Sequence, residues 1–274
     1  MTRLPALAVL LAALAAPPAA AQPSVEAPLD RVLSAVVGVD GRVDYGLLAR
    51  RHADDLDAAL AAVAATDPAA LRTDDQKTAF LLNAYNAHVL RRVLQTGAMD
   101  LERQGLFARF FESPVRVAGG AATLNAVEHG ALRRQDRVDG AAVPRALRAL
   151  RPRTVDPRVH VGLNCAAVSC PPLPRRAFRA ATLDRDLDRA WRAFAASPRA
   201  ARVEGGRVVL SSIFDWFAAD FESPRRPLGD ALVAAFARRP DAARLRRALA
   251  GKTAAALRAD RGVRFAYDWT VNRR

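Results

Sequence analysis

Two glycine pairs set inside short alternating runs constrain the fold of this chain most. Pro114 to Leu124 reads PVRVAGGAATL, and Arg202 to Leu210 reads RVEGGRVVL. On both sides of each pair the apolar residues fall at every second position, the pattern of two strands joined by a tight turn. The periods around them are helical. Leu29 to Val37 is a short amphipathic segment, and Tyr45 to Ala64 is rich in Ala and Leu. Thr73 and Gln76 form a capping box ahead of Phe80, Leu81, Leu82, Val89, Leu90, Val93 and Leu94, with Gly97 as a stop. Further helices are expected at Thr182 to Ala196, after Ser212, at Leu228 to Arg238 and at Ala242 to Leu249. Strands are expected at Arg158 to Leu163 and Val263 to Tyr267. Helices mixed with local hairpins, without the spacing of βαβ units, imply an α+β fold: a mainly helical single domain over residues 22–274 with a small antiparallel sheet built from hairpins.

The first 21 residues read as a cleaved signal peptide. Arg3 precedes an apolar run that ends in Ala19-Ala20-Ala21 before Gln22. The run from Leu4 to Ala16 is short for a membrane span, which needs roughly 20 residues. No cysteine follows it to carry a lipid anchor, so a periplasmic or secreted protein without a stable membrane span is expected. The formal charge is +14, and 40 of the 42 basic residues are arginine. These arginines are scattered and lack interleaved aromatics. They read as a composition bias, and no nucleic-acid partner is expected.

Only two cysteines occur, Cys165 and Cys170, too few for a disulfide framework in a chain this long. The core must therefore hold by burial. Both lie in HVGLNCAAVSCPPL (His160–Leu173), and three readings of them stay open. A Cys165–Cys170 disulfide would close a short loop. A zinc set of His129, His160, Cys165 and Cys170 has the donors but not the spacing of a zinc finger. A thiol nucleophile, Cys165, would need His129 or His160 as base and an amide or carboxylate orienter from Asn83, Asn86, Glu128 or Asp268. On a strand, His160 would face away from Cys165, which makes His129 the freer partner.

The other candidates have local explanations as well. Asn83 and Asn86 share an otherwise apolar helix face and must find partners, in a loop backbone or in a ligand. Asn125 as N-cap would place Glu128 at the capping-box position, whereas His129, in the first turn, is left without such an explanation. In FDWFAADF, Ser212 with Asp215 reads as a cap and the phenylalanines as core. Ser169 lacks a G-x-S-x-G context, and no phosphate loop or H-E-x-x-H appears, so no cofactor or metal site is assigned.

Taken together, FLLNAYNAHVL, LNAVEHGALR, DPRVHVGLNCAAVSCPPL, LSSIFDWFAADF and YDWTVN resemble, in that order, the blocks of the domain-of-unknown-function family 547. The resemblance runs from about residue 43 to 272. It implies functional positions at Asn83, Tyr85, Asn86, Glu128, His129, His160, Asn164, Cys165, Ser169, Cys170 and Asp268. Some plant relatives carry serine where Cys170 stands, which shifts weight toward Cys165, and His88 departs from the family pattern. The family's activity is not established. The expectation is a cleft that takes a small or peptide-like ligand, with Cys165, His129, His160 and Glu128 as catalytic candidates. The chemistry expected is thiol-dependent hydrolysis or acyl transfer in a papain- or transglutaminase-like arrangement. The alternatives are a non-catalytic binding module of the cell envelope and a zinc protein. Oligomeric state is not specified by any of these features.

Overall fold

The computed structural model describes residues 24–274; the expected signal peptide lies outside the described residues. The fold is α+β. Its centre is the helix Asp74–Thr96, opened by the Thr73/Gln76 capping box and closed by Gly97 in the left-handed conformation. From Thr78 to Leu90 every residue of this helix is buried, because other elements surround it on all sides. Helices Glu26–Val36, Tyr45–Arg51 and Ala53–Ala65 pack around it; the expected single helix at 45–64 is broken at His52. Leu29, Leu33, Leu48, Leu56, Leu82 and Phe110 are among the side chains that fill this first core.

A second core gathers Phe194, Leu210, Phe214, Leu232, Leu245 and Leu257. It lies under the helix Leu183–Ala196, a three-stranded sheet and the short C-terminal helices. The hairpin Ala201–Glu204/Arg207–Ser211 turns at Gly205-Gly206 and is antiparallel as expected. Strand Val263–Ala266 then adds to it in parallel, so this sheet is mixed. The first glycine pair makes the hairpin Val115–Val117/Gly120–Ala122, with Ala118 and Gly119 as the two positive-φ turn residues.

The segment expected as a strand at 158–163 is the one-turn helix Val159–Gly162. Its alternation of apolar residues arises from burial on both sides rather than from a sheet. Likewise the segment after Ser212 forms two separate turns, Ile213–Trp216 and Ala218–Phe221. Among the described residues, no helix is long and apolar enough to cross a membrane.

Candidate functional site

A cavity of about 150 Å³ opens between the two cores. Tyr85, Glu128, His129, His160, Cys165 and Cys170 line it from the stretch between residues 85 and 170, and Trp216, Phe217, Tyr267 and Trp269 from nearer the C-terminus. At roughly 30 Å³ per water, it suits a small molecule or the end group of a larger one.

Glu128 and His129 sit on a π-helical segment, Ala126–Leu132, in which the Arg133 amide reaches back five residues to the Glu128 carbonyl. Such widened turns recur at functional sites. Asn125 is not its cap: its side chain donates to Asp139, and the Thr123 hydroxyl accepts the Ala126 N–H instead. Glu128 is therefore not occupied in capping and is free to face the cavity wall, where its side chain is 12% exposed.

From there a chain of charged groups runs inward. His160 is fully buried, with Nε2 2.8 Å from Asp220 Oδ2 and Nδ1 3.8 Å from Glu128 Oε1. The first contact is a hydrogen bond. The second is an ion-pair distance and leaves Nδ1 without a hydrogen-bond partner. Burial opposes charging of His160, but the carboxylates of Asp220 and Glu128 outweigh it and raise its pKa. Both carboxylates are in turn held below their usual range. Burial pushes each up; His160 and Arg133 hold Asp220 down, and His160, His129 and the Tyr85 hydroxyl hold Glu128 down. Asp220 also accepts from Arg133 Nε at 2.5 Å. Glu128 and Asp220 against His160 and Arg133 make a charge-balanced group, the condition under which burying ions is tolerated. Phe217 stacks on the His160 ring with centroids 3.9 Å apart.

Arg133 also defines the state of His129. Its Nη1 lies 3.0 Å from His129 Nδ1. Guanidinium only donates, so Nδ1 is the acceptor and the proton of the neutral ring is on Nε2. Burial lowers the His129 pKa, and Arg133 adds to this against the pull of Glu128.

The cysteines line the same cavity, and both are free thiols. The Cys165 amide donates to Cys170 Sγ at 2.8 Å, and Cys165 Sγ lies 3.0 Å from the Tyr267 hydroxyl. Burial raises both thiols. Hydrogen bonds from the Cys165 thiol, the Tyr267 hydroxyl and the Cys165 amide overcome this at Cys170 and lower it, while Cys165, as donor, is pushed up. The expected imidazole base is not at either sulfur: the hydrogen bonds of His129 and His160 go to Arg133 and Asp220. Among the described residues no group of three or more His, Cys, Asp or Glu side chains is arranged to hold a metal ion, so the four expected zinc donors do not form a set.

Asn86 and Asn164 build the cysteine loop, and neither they nor Asn83 line the cavity. Asn83 exchanges hydrogen bonds with the Phe178 backbone. Asn86 donates to the Gly162 carbonyl and accepts the Asn164 N–H, bracketing the turn before Cys165. Asn164 donates to the Pro171 carbonyl and accepts from the Ala166 N–H and Asn272. That network holds Ala166, directly after Cys165, at φ 66°, a conformation costing a non-glycine residue about 1–3 kcal/mol. Ser169 and Asp268 bond each other and stand outside the lining.

Sequence reasoning missed Asp220, Arg133, Tyr267 and the aromatic wall. Trp216, Trp269 and Tyr267 pack on one another with centroids 4.5–5.6 Å apart, and Trp216 remains 46% exposed. An acid flanked by phenylalanines in FDWFAADF is the signal that could have found Asp220, since an acid in an apolar stripe needs a buried partner.

No curated protein and no solved structure matches the chain. Residues 68–195 match the family model described as "Protein of unknown function, DUF547", a shorter span than the resemblance at 43–272. The match takes in Tyr85, Glu128, His129, Arg133, His160 and both cysteines, while Asp220 and the aromatic wall come from beyond it. That segment, residues 68–195, is thus identified as similar to the DUF547 family.

Proposed function

We propose that the cavity is the active site of a thiol-dependent hydrolase or acyltransferase acting on the acyl end of a small or peptide-like molecule. One observation carries this reading: two free thiols, with the Cys165 amide bonded to Cys170 Sγ, share a small aromatic-walled cavity with a buried, charge-balanced carboxylate–imidazole network. Cys165 is the more exposed of the two residues and the nucleophile. In the step proposed, its sulfur bonds to the acyl carbon and its proton passes to Cys170. The bond to the leaving group breaks, and the departing group takes that proton from Cys170. Water or a second acceptor then removes the acyl group from Cys165. His129 serves as a fixed Nε2–H donor toward the carbonyl oxygen. Arg133 at Nδ1 bars it from accepting a second proton, so it is not the base. His160 and Asp220 hold the charge on Glu128 in place.

The test is mass spectrometry of the reduced full chain after brief exposure to p-nitrophenyl acetate. A single acetyl group on Cys165 is expected, lost in Cys165→Ser and slowed by about a hundredfold or more in Cys170→Ser, the lower end of ordinary general-base effects. Acetylation scattered over surface residues, unchanged in Cys165→Ser, would refute the nucleophile.

A further inference from the structure

We propose that the Cys165–Cys170 pair is also a dithiol redox centre, which reduces small disulfides admitted to the cavity and closes to an intramolecular disulfide. It uses the sulfur pair of the acyl-transfer reading but does not depend on that reaction.

The loop presents the two sulfurs to each other before any oxidation. The Cys165 amide reaches Cys170 Sγ at 2.8 Å, so that sulfur lies over the Cys165 backbone. Ala166, at φ 66°, turns the chain back, and the Cys170 N–H closes the turn on the Ala167 carbonyl. Asn164 clamps the loop at both ends, at Ala166 and Pro171. Two thiols thus held within one tight turn meet the proximity that a disulfide requires. Both also line the cavity, so a substrate reaches them. A bridge closing so short a loop gains little chain-entropy stabilisation, which leaves it reducible and able to cycle.

The exchange balances without a further reagent. Cys165 sulfur attacks one sulfur of the substrate disulfide, RSSR; the substrate S–S bond breaks and the first RSH leaves. Cys170 then attacks Cys165 of the mixed disulfide, and the second RSH leaves. Two electrons and two protons pass from the cysteines to the substrate. The cavity volume of about 150 Å³ restricts the substrate to one with short arms.

The experiment takes the full chain, reduced with a phosphine and desalted, and adds hydroxyethyl disulfide. Release of two hydroxyethyl thiols per protein is expected, with loss of two hydrogens from the protein mass and no thiol left to alkylate. Cys170→Ser should release one thiol and retain a hydroxyethylthio adduct on Cys165. The bulkier oxidised glutathione should react at least tenfold more slowly. A wild-type protein that stops at stable adducts without a bridge, or that stays reduced while iodoacetamide alkylates both cysteines, overturns the proposal. The wild-type mass alone decides this, even where a variant fails to fold. A bridge that forms in a protein never acetylated at Cys165 refutes the acyl-transfer reading alone; acetylation without a bridge refutes the redox centre alone.

Discussion

His88 shows how burial tunes a single residue. Buried on the central helix itself, it is partnered by the Arg116 carbonyl through Nε2 at 3.1 Å, and burial lowers its pKa to about 4. The unfolded chain, with a pKa of about 6.5, binds the proton more readily than the folded one, so stability falls as pH drops between these values, by about 3 kcal/mol in all. Urea unfolding at a series of pH values should show this slope, and His88→Gln should flatten it; a parallel slope in the variant would assign it to other groups. The site network has the opposite limits. His160, raised, stabilises below its unfolded value and loses that contribution as pH rises through its folded one, while Glu128 and Asp220, lowered, lose theirs only as pH falls below about 4. Arg133→Gln removes the partner of a largely buried carboxylate and should cost about 3 kcal/mol. It should also release the His129 tautomer. Nitrogen NMR that still finds the proton wholly on Nε2 in the variant would show that Arg133 does not set it. At this scale the site was partly legible. Cysteine and histidine are scarce, so their positions stand out; Asp220 and Arg133 belong to abundant types, and only the fold pairs them.

At the scale of elements, the tight turns were the most legible features, because Gly205-Gly206 supplies the positive φ that such a turn demands. A third hairpin, around Asp139-Gly140, carried the same kind of signal and went unread, since its strands are two residues each. The short helix at Val159–Gly162 was misread because four residues hold barely one helical period, and burial on both sides imitates alternation. The π-helical segment was beyond reach of periodicity, and its winding depends on packing. Gly130 lies within it, and a Cβ there would sit 2.6 Å from Val143 Cγ2. Gly130→Ala should therefore destabilise by about 2 kcal/mol, as overpacking commonly does. Adding Val143→Ala should make the double variant more stable than the sum of the single effects by about 1 kcal/mol. Strict additivity in thermal or urea unfolding would show that Val143 does not confine this segment.

For the molecule as a whole, the decisive feature is a C-terminal tail that returns to the cysteine loop from more than 100 residues away. The Val168 N–H donates to the Thr270 carbonyl, the Asn272 N–H to the Ala166 carbonyl, and the Val271 N–H to the Met99 carbonyl. Asn272 is buried; its Oδ1 accepts from the Tyr45 hydroxyl at 2.8 Å and its Nδ2 donates to Asn164 at 3.2 Å. The cavity thus exists only where the first core, the second core and the tail meet, which no local pattern reveals. Asn83 provides a comparison: equally buried and also making two side-chain hydrogen bonds, it ties the central helix to the Phe178 backbone and not to the loop. Each replaced by alanine should lose about 2 kcal/mol by leaving buried partners unsatisfied. If the tail holds the loop, only Asn272→Ala should speed amide exchange across residues 165–170 and alkylation of Cys170. Each should rise about tenfold for every 1.4 kcal/mol by which local opening becomes easier. Equal acceleration in Asn83→Ala would mean that the loop opens only with the whole fold, and that the tail gives the sulfurs no separate protection.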